Sequence, residues 1–183
     1  MHCPICKTDT MQHTTLEMDI PAYRCSTCAG IWISSNEYLR WDRAHGPDLP
    51  EKSADDSSVP TWDTRELKLC PECRHILTRY KVLPGVQFYL DRCANCNGVW
   101  FDRNEWQVIV AHNLHDKVNE MFTRPWQTKV RQAEAHAMLD KLYLEKFGGQ
   151  DYAHIKEIWN WLKPHPQRAM LLAYLQANDP YKL

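Results

Sequence analysis

No stretch of this 183-residue chain approaches the roughly 18 consecutive apolar residues that a membrane-spanning helix needs, which excludes a transmembrane helix. Neither charge dominates. Twenty-two basic residues against 23 acidic ones leave a formal charge of −1, and no overall drive toward nucleic acid or an anionic membrane. Signatures of catalysis are missing too: no phosphate-binding loop, dinucleotide fingerprint or nucleophile elbow occurs. The start, Met1-His2-Cys3, lacks the basic segment and apolar run of a secretion signal. The remainder, 44% hydrophobic and 25% charged, is an ordinary globular mixture.

What is present is cysteine. Cys3, Cys6, Cys25 and Cys28 read C-x2-C-x18-C-x2-C, and Cys70, Cys73, Cys93 and Cys96 read C-x2-C-x19-C-x2-C. Both spacings suit a four-cysteine zinc site. The two quartets use all eight cysteines, leaving none for a disulfide or a lone nucleophile. Zinc takes four thiolates tetrahedrally, and a C-x2-C pair on a tight turn aims two sulfurs at one point. A hairpin then brings two such turns together. Pro4 and Pro71 preset φ for the first turn of each quartet. Gly30 and Gly98, two residues past the last cysteine, are expected to take positive φ as the chain leaves the second turn. Two zinc ions per chain follow. Thiolate ligands without an export signal point to a reducing cytoplasm.

The quartets belong to an internal repeat. Arg24-Cys25-Ser26-Thr27-Cys28-Ala29-Gly30-Ile31-Trp32-Ile33 aligns with Arg92-Cys93-Ala94-Asn95-Cys96-Asn97-Gly98-Val99-Trp100-Phe101. Ser34-x-Asn36-Glu37 then matches Asp102-x-Asn104-Glu105, and both read as capping boxes that open a helix. CPxC, a spacer near twenty, C-x2-C-x-G-x-W and a helix with Glu at its start resemble the transcription factor IIB-type zinc ribbon family, in two tandem copies. The resemblance covers roughly residues 1–41 and 67–110. It implies the ribbon fold and the metal, and leaves the biochemical role open.

The expected fold is a small zinc-stabilised α+β chain: two zinc ribbons, each a β-hairpin with a following helix, plus an α-helical C-terminal region. The expected boundaries are 1–46, first ribbon and short helix; 47–66, linker; 67–122, second ribbon and helix; and 123–183, helical region. In the first ribbon Leu16, Met18 and Ile20 alternate as one face of a strand, and Pro21-Ala22 turns the chain back. His45-Gly46-Pro47 ends its helix. The linker is rich in Pro, Ser and Asp, with six acidic residues against two basic, and reads as a solvated tether in which Trp62 is the exception. In the second ribbon Leu83-Pro84-Gly85-Val86 reads as a type II turn. Trp106, Ile109, Val110, Leu114, Val118 and Met121 recur at helical spacing. Three more helices follow, to about Phe147, from about Tyr152 to Leu162, and from about Gln167 to Ala177. Their apolar positions, among them Leu139, Leu142, Tyr143, Ile155, Ile158, Trp159, Met170 and Tyr174, read as a helical core or as a groove or dimer face.

Three functions compete. A non-catalytic zinc protein that recognises a macromolecule, most readily another protein and in a role near transcription or translation, fits filled thiolate sites. Nucleic-acid binding would use Arg79, Tyr80, Lys81, Phe88 and Arg92. A thiol-based redox or metal-responsive switch would use the C-x2-C pairs.

Overall fold

The computed structural model describes residues 1–7, 11–45 and 60–181, apart from the Met18 side chain. Gly46, Pro47 and the linker as far as residue 59 lie outside the described residues. The chain divides into two compact units, Met1–Ala133 and Glu134–Leu183.

In the first unit, β1 (Gln12–Thr15), β2 (Pro21–Arg24) and β3 (Ile31–Ile33) lead into α1 (Ser35–His45). The second copy repeats this with β4 (Leu77–Lys81), β5 (Tyr89–Cys93) and β6 (Val99–Phe101), followed by α2 (Glu105–Ala111) and α3 (Val118–Met121). All six strands form one antiparallel sheet in the order β1-β2-β3-β6-β5-β4. The two copies are therefore halves of a single sheet. They meet at its centre, where Ile31 faces Phe101, Trp32 faces Trp100 and Ile33 faces Val99. The β-branched and aromatic residues of these two short strands suit such a pairing, and none of the six is exposed.

Alternation along the strands sorts the side chains onto two faces. Ala22, Ile31, Ile33, Leu90, Val99 and Phe101 point to one face, where Tyr38, Trp41, Trp106, Ile109, Val118 and Met121 from the helices cover them. Tyr23, Trp32, Leu77 and Trp100 point to the other, and pack there with both cysteine quartets.

Local chemistry explains most of the elements. Ser34 caps α1 as expected: its Oγ accepts the Glu37 N–H at 3.3 Å and hydrogen-bonds the Glu37 carboxylate at 3.2 Å. Gly85 takes φ +79° in the turn after β4, as a Pro-Gly type II turn requires. The strand expected through Leu16, Met18 and Ile20 is instead a single 3-10 turn, Glu17–Asp19, bridged by the Leu16 N–H donating to Ile20 O at 2.9 Å. Leu16 and Ile20 are buried on either side of it, so their spacing marks the core but not a strand. Pro21 opens β2 rather than turning the chain.

A second correction concerns the helix expected from Asp102 to Met121. Its apolar residues are buried, but it is interrupted between α2 and α3, and Asn113 takes φ 54°. The Tyr38 hydroxyl bridges the break, donating to His115 O at 2.8 Å and accepting the Val118 N–H at 3.2 Å. Helix α4 (Arg124–Phe147) begins in the first unit. There Trp126 Nε1 donates to Val82 O at 2.8 Å, Gln127 Nε2 donates to Lys81 O at 2.7 Å, and Val130 is buried.

The second unit holds the rest of α4, with α5 (Gly149–Leu162) and α6 (Arg168–Gln176). Here the expectation of a helical core fails. Of its described residues only Leu162 is buried.

Candidate metal centres and a buried charge network

Each cysteine quartet is built from two knuckles. In the first, Lys7 N–H donates to Cys3 O at 2.9 Å and Cys6 N–H to Cys3 Sγ at 3.4 Å. Arg74 and Cys73 repeat both bonds at 3.0 and 3.5 Å. In the returning knuckle, Ala29 N–H donates to Cys25 O at 3.0 Å and Asn97 N–H to Cys93 O at 2.9 Å. Four residues carry the positive φ that these turns need: Lys7 (65°), Ala29 (60°), Arg74 (64°) and Asn97 (60°).

Gly30 and Gly98 are not among them, so the reason expected for these glycines is corrected. They make room. A Cβ on Gly30 would sit 2.1 Å from Cζ2 of Trp100, and one on Gly98 would sit 2.2 Å from Cζ2 of Trp32. Each tryptophan thus lies over the knuckle of the other copy. Their polar ends differ because the knuckles differ. Trp32 Nε1 donates to the carboxylate of Glu72, inside the Cys70–Cys73 turn, at 3.2 Å. The corresponding residue of the first copy is Ile5, which accepts nothing, and Trp100 Nε1 donates to Asp102 at 2.7 Å instead.

The sulfurs converge. Sγ–Sγ separations are 3.5 Å for Cys3–Cys28 and 3.8 Å for Cys6–Cys25, and 3.5 and 3.4 Å for Cys70–Cys96 and Cys73–Cys93. A tetrahedron with 2.3 Å Zn–S bonds has edges of about 3.8 Å. No disulfide links any of these cysteines. Crowding sets the thiols against one another. The hydrogen bond between Cys3 and Cys28 draws Cys3 down to about 5 and pushes Cys28 up. Burial pushes Cys70 to about 11, while Cys73, helped by the His75 backbone N–H, falls to about 6. A dication lets all four ionise together. The two four-cysteine clusters fit two zinc ions per chain.

The second ribbon also holds a charge network that the residue pattern did not announce. Lys68 is buried with Asp91 and Asp102: Nζ is 2.5 Å from Asp91, 3.1 Å from Asp102 and 2.9 Å from Thr64 O. Burial lowers the Lys68 pKa, but the hydrogen bonds and charges of the two aspartates outweigh it, so the ammonium is held. Asp102 also accepts Thr64 N–H at 2.7 Å, and Arg79 holds Asp63 at 2.6 Å. Residues 60–66, read from the sequence as the end of the tether, are therefore bound to the second ribbon. One signal was available: Asp91 alternates onto the same face as Trp100, where a carboxylate needs a cation.

Asp102 does not cap α2 with its side chain as the sequence implied. Half of the box survives, because Glu105 accepts the Asp102 N–H at 2.7 Å. Burial raises the Glu105 pKa to about 10. Asp63, Asp102 and Glu105 group within 4.8 Å, but Lys68 and Arg79 already supply the cations there.

Of the side chains expected to contact nucleic acid, Phe88 is buried and Tyr80 stacks edge-on against Phe122. Arg92 lies over Phe122 and donates to Asn97, while Arg79 and Lys81 lie over Tyr89.

Searches among curated proteins and among solved structures returned no match. A family model described as transcription factor zinc-finger, of the transcription factor IIB ribbon type, matches residues 2–44 and again residues 69–112. Paired in one sheet, these two segments are tandem members of the transcription factor IIB-type zinc ribbon family.

Proposed function

We propose that this chain is a non-catalytic zinc protein of a reducing compartment that recognises another protein through the surface of its paired ribbons. Cys3, Cys6, Cys25 and Cys28 hold one zinc, and Cys70, Cys73, Cys93 and Cys96 the other. The observation that carries the reading is that each cluster brings four cysteine sulfurs together, enough to fill the tetrahedron of a zinc ion. A catalytic zinc keeps a position for water or substrate, whereas a saturated one contributes folding free energy. The eight reduced thiols fit a cytoplasmic setting.

Protein is favoured over nucleic acid by what the surface offers. Arg79, Lys81 and Arg92 of the second ribbon are engaged with Asp63, Asn97 and aromatic rings. Exposed apolar side chains stand near its knuckles as well. Ile76 is 58% exposed in a shallow groove lined also by Arg74, His75, Ala94 and Asn95, and Leu67 is 63% exposed. Trp62, 68% exposed, borders a cleft with Ile5, Thr64 and Arg103. Aromatic and aliphatic anchors beside arginine suit a protein interface.

The test is affinity capture with the zinc-loaded chain and with Ile76→Asp. A protein held by the first and lost by the second, with zinc unchanged at two per chain, supports the reading. Binding to single-stranded DNA or RNA at low salt that falls steeply as salt rises would replace it with the nucleic-acid role.

A further inference from the structure

We propose that residues 134–183 are a self-association module, completed by the same helices of a second copy of this chain. These residues form three helical segments, each with an apolar stripe: Met138, Leu142 and Tyr143 on α4, Ile155, Ile158 and Trp159 on α5, and Met170 and Tyr174 on α6. A stripe at helical spacing is a face built to be covered. Here it is not covered. Met138 is 76% exposed, Met170 69%, Ile158 51% and Trp159 46%. The unit's own contacts run mainly along the helices and at their joints, such as Tyr143 stacked on Phe147 and Tyr152 bonded to Asp140.

Area decides that something must cover these stripes. Aromatic side chains offer about 150–250 Å² and aliphatic ones somewhat less, so the eight named here, at about half exposure, leave on the order of 700 Å² of apolar surface. The largest patch on a typical monomer is about 300–600 Å², and each partner in a standard complex buries about 800 Å².

Charge decides what covers them. Residues 134–183 hold six basic and six acidic side chains, a net charge of zero. Lys141 with Glu145 and Lys156 with Asp140 pair within the unit. Such a face neither repels its own copy nor attracts a strongly charged partner. An isologous contact uses one surface twice, so the stripes of one copy can cover those of the other.

Sedimentation velocity of the zinc-loaded full chain tests this. At about 100 μM the species should have twice the chain mass. Dilution should give the monomer, with a red shift in tryptophan emission as Trp159 meets water. M138E/L142E should weaken association at least tenfold while zinc stays at two per chain. Both positions are already solvent-accessible, so the monomer tolerates the change. A wild-type monomer at about 100 μM overturns the proposal, as does a double variant that associates as tightly as wild type. So does a monomer whose amides in 134–181 exchange slowly, because its helices then need no partner. None of these outcomes touches the ribbon reading, which rests on residues 1–112.

Discussion

At Gly30 and Gly98 one hydrogen in place of a methyl decides whether the ribbons can meet. The ring of the other copy's tryptophan occupies the space that a Cβ needs. Gly98→Ala should destabilise the zinc-loaded chain by about 1–3 kcal/mol, as overpacking of a rigid site does, with urea unfolding in excess zinc as the measure. Lys68 is a second deciding residue. Lys68→Met leaves Asp91 and Asp102 buried without their cation, and the same assay should show a loss of about 3–5 kcal/mol. Glu105 gives a pH dependence of known sign. Its carboxyl is raised by burial to about 10, well above an unfolded carboxyl, so folding favours its protonated form. Its contribution is full below the unfolded pKa and declines as pH rises toward the folded one. Glu105→Gln, which keeps an acceptor for the Asp102 N–H, removes that decline. The stability of the variant relative to wild type should rise by at least about 1 kcal/mol between about pH 6 and about pH 8.5, and a constant difference would refute the assignment.

At the scale of elements, the central pair β3–β6 couples the two metal sites. Each strand follows directly from a knuckle, and each knuckle carries the other copy's tryptophan. Cys70→Ser should therefore lower bound zinc below one per chain at limiting metal, because the first site loses the partner that orders Gly30 and Trp32. Atomic absorption after dialysis measures this, and retention of one full zinc would show the sites to be independent. The elements also show where sequence patterns carry information. Ser34-x-x-Glu37 and Pro84-Gly85 fix local geometry through bonds and dihedrals within a few residues, so both were legible. The apolar steps from Trp106 to Met121 read as one helix because burial and helicity share a period. Asn113 and the Tyr38 hydroxyl, on an element 75 residues away in the chain, break it.

For the whole molecule, the two units differ in how they are stabilised. The first has a sheet covered by helices on one face and tied by eight thiolates on the other. The second consists of helices with one buried side chain among its described residues. Cutting the chain after Ala133 should leave the first unit with two zincs and a thermal midpoint within about 5 °C of the full chain, because Trp126, Gln127 and Val130 are retained. A larger fall in differential scanning calorimetry would place missing stabilisation in the tail.

The sequence alone determined the two cysteine quartets and the repeat. Thiolate chemistry at fixed short spacing admits few other readings, and a turn of four residues carries its own instructions. Only the tertiary structure decided that the copies share one sheet, that glycine serves a distant tryptophan, and that a lysine is buried between two aspartates. Each of these joins residues remote in the chain, and such contacts depend on packing that no local period encodes.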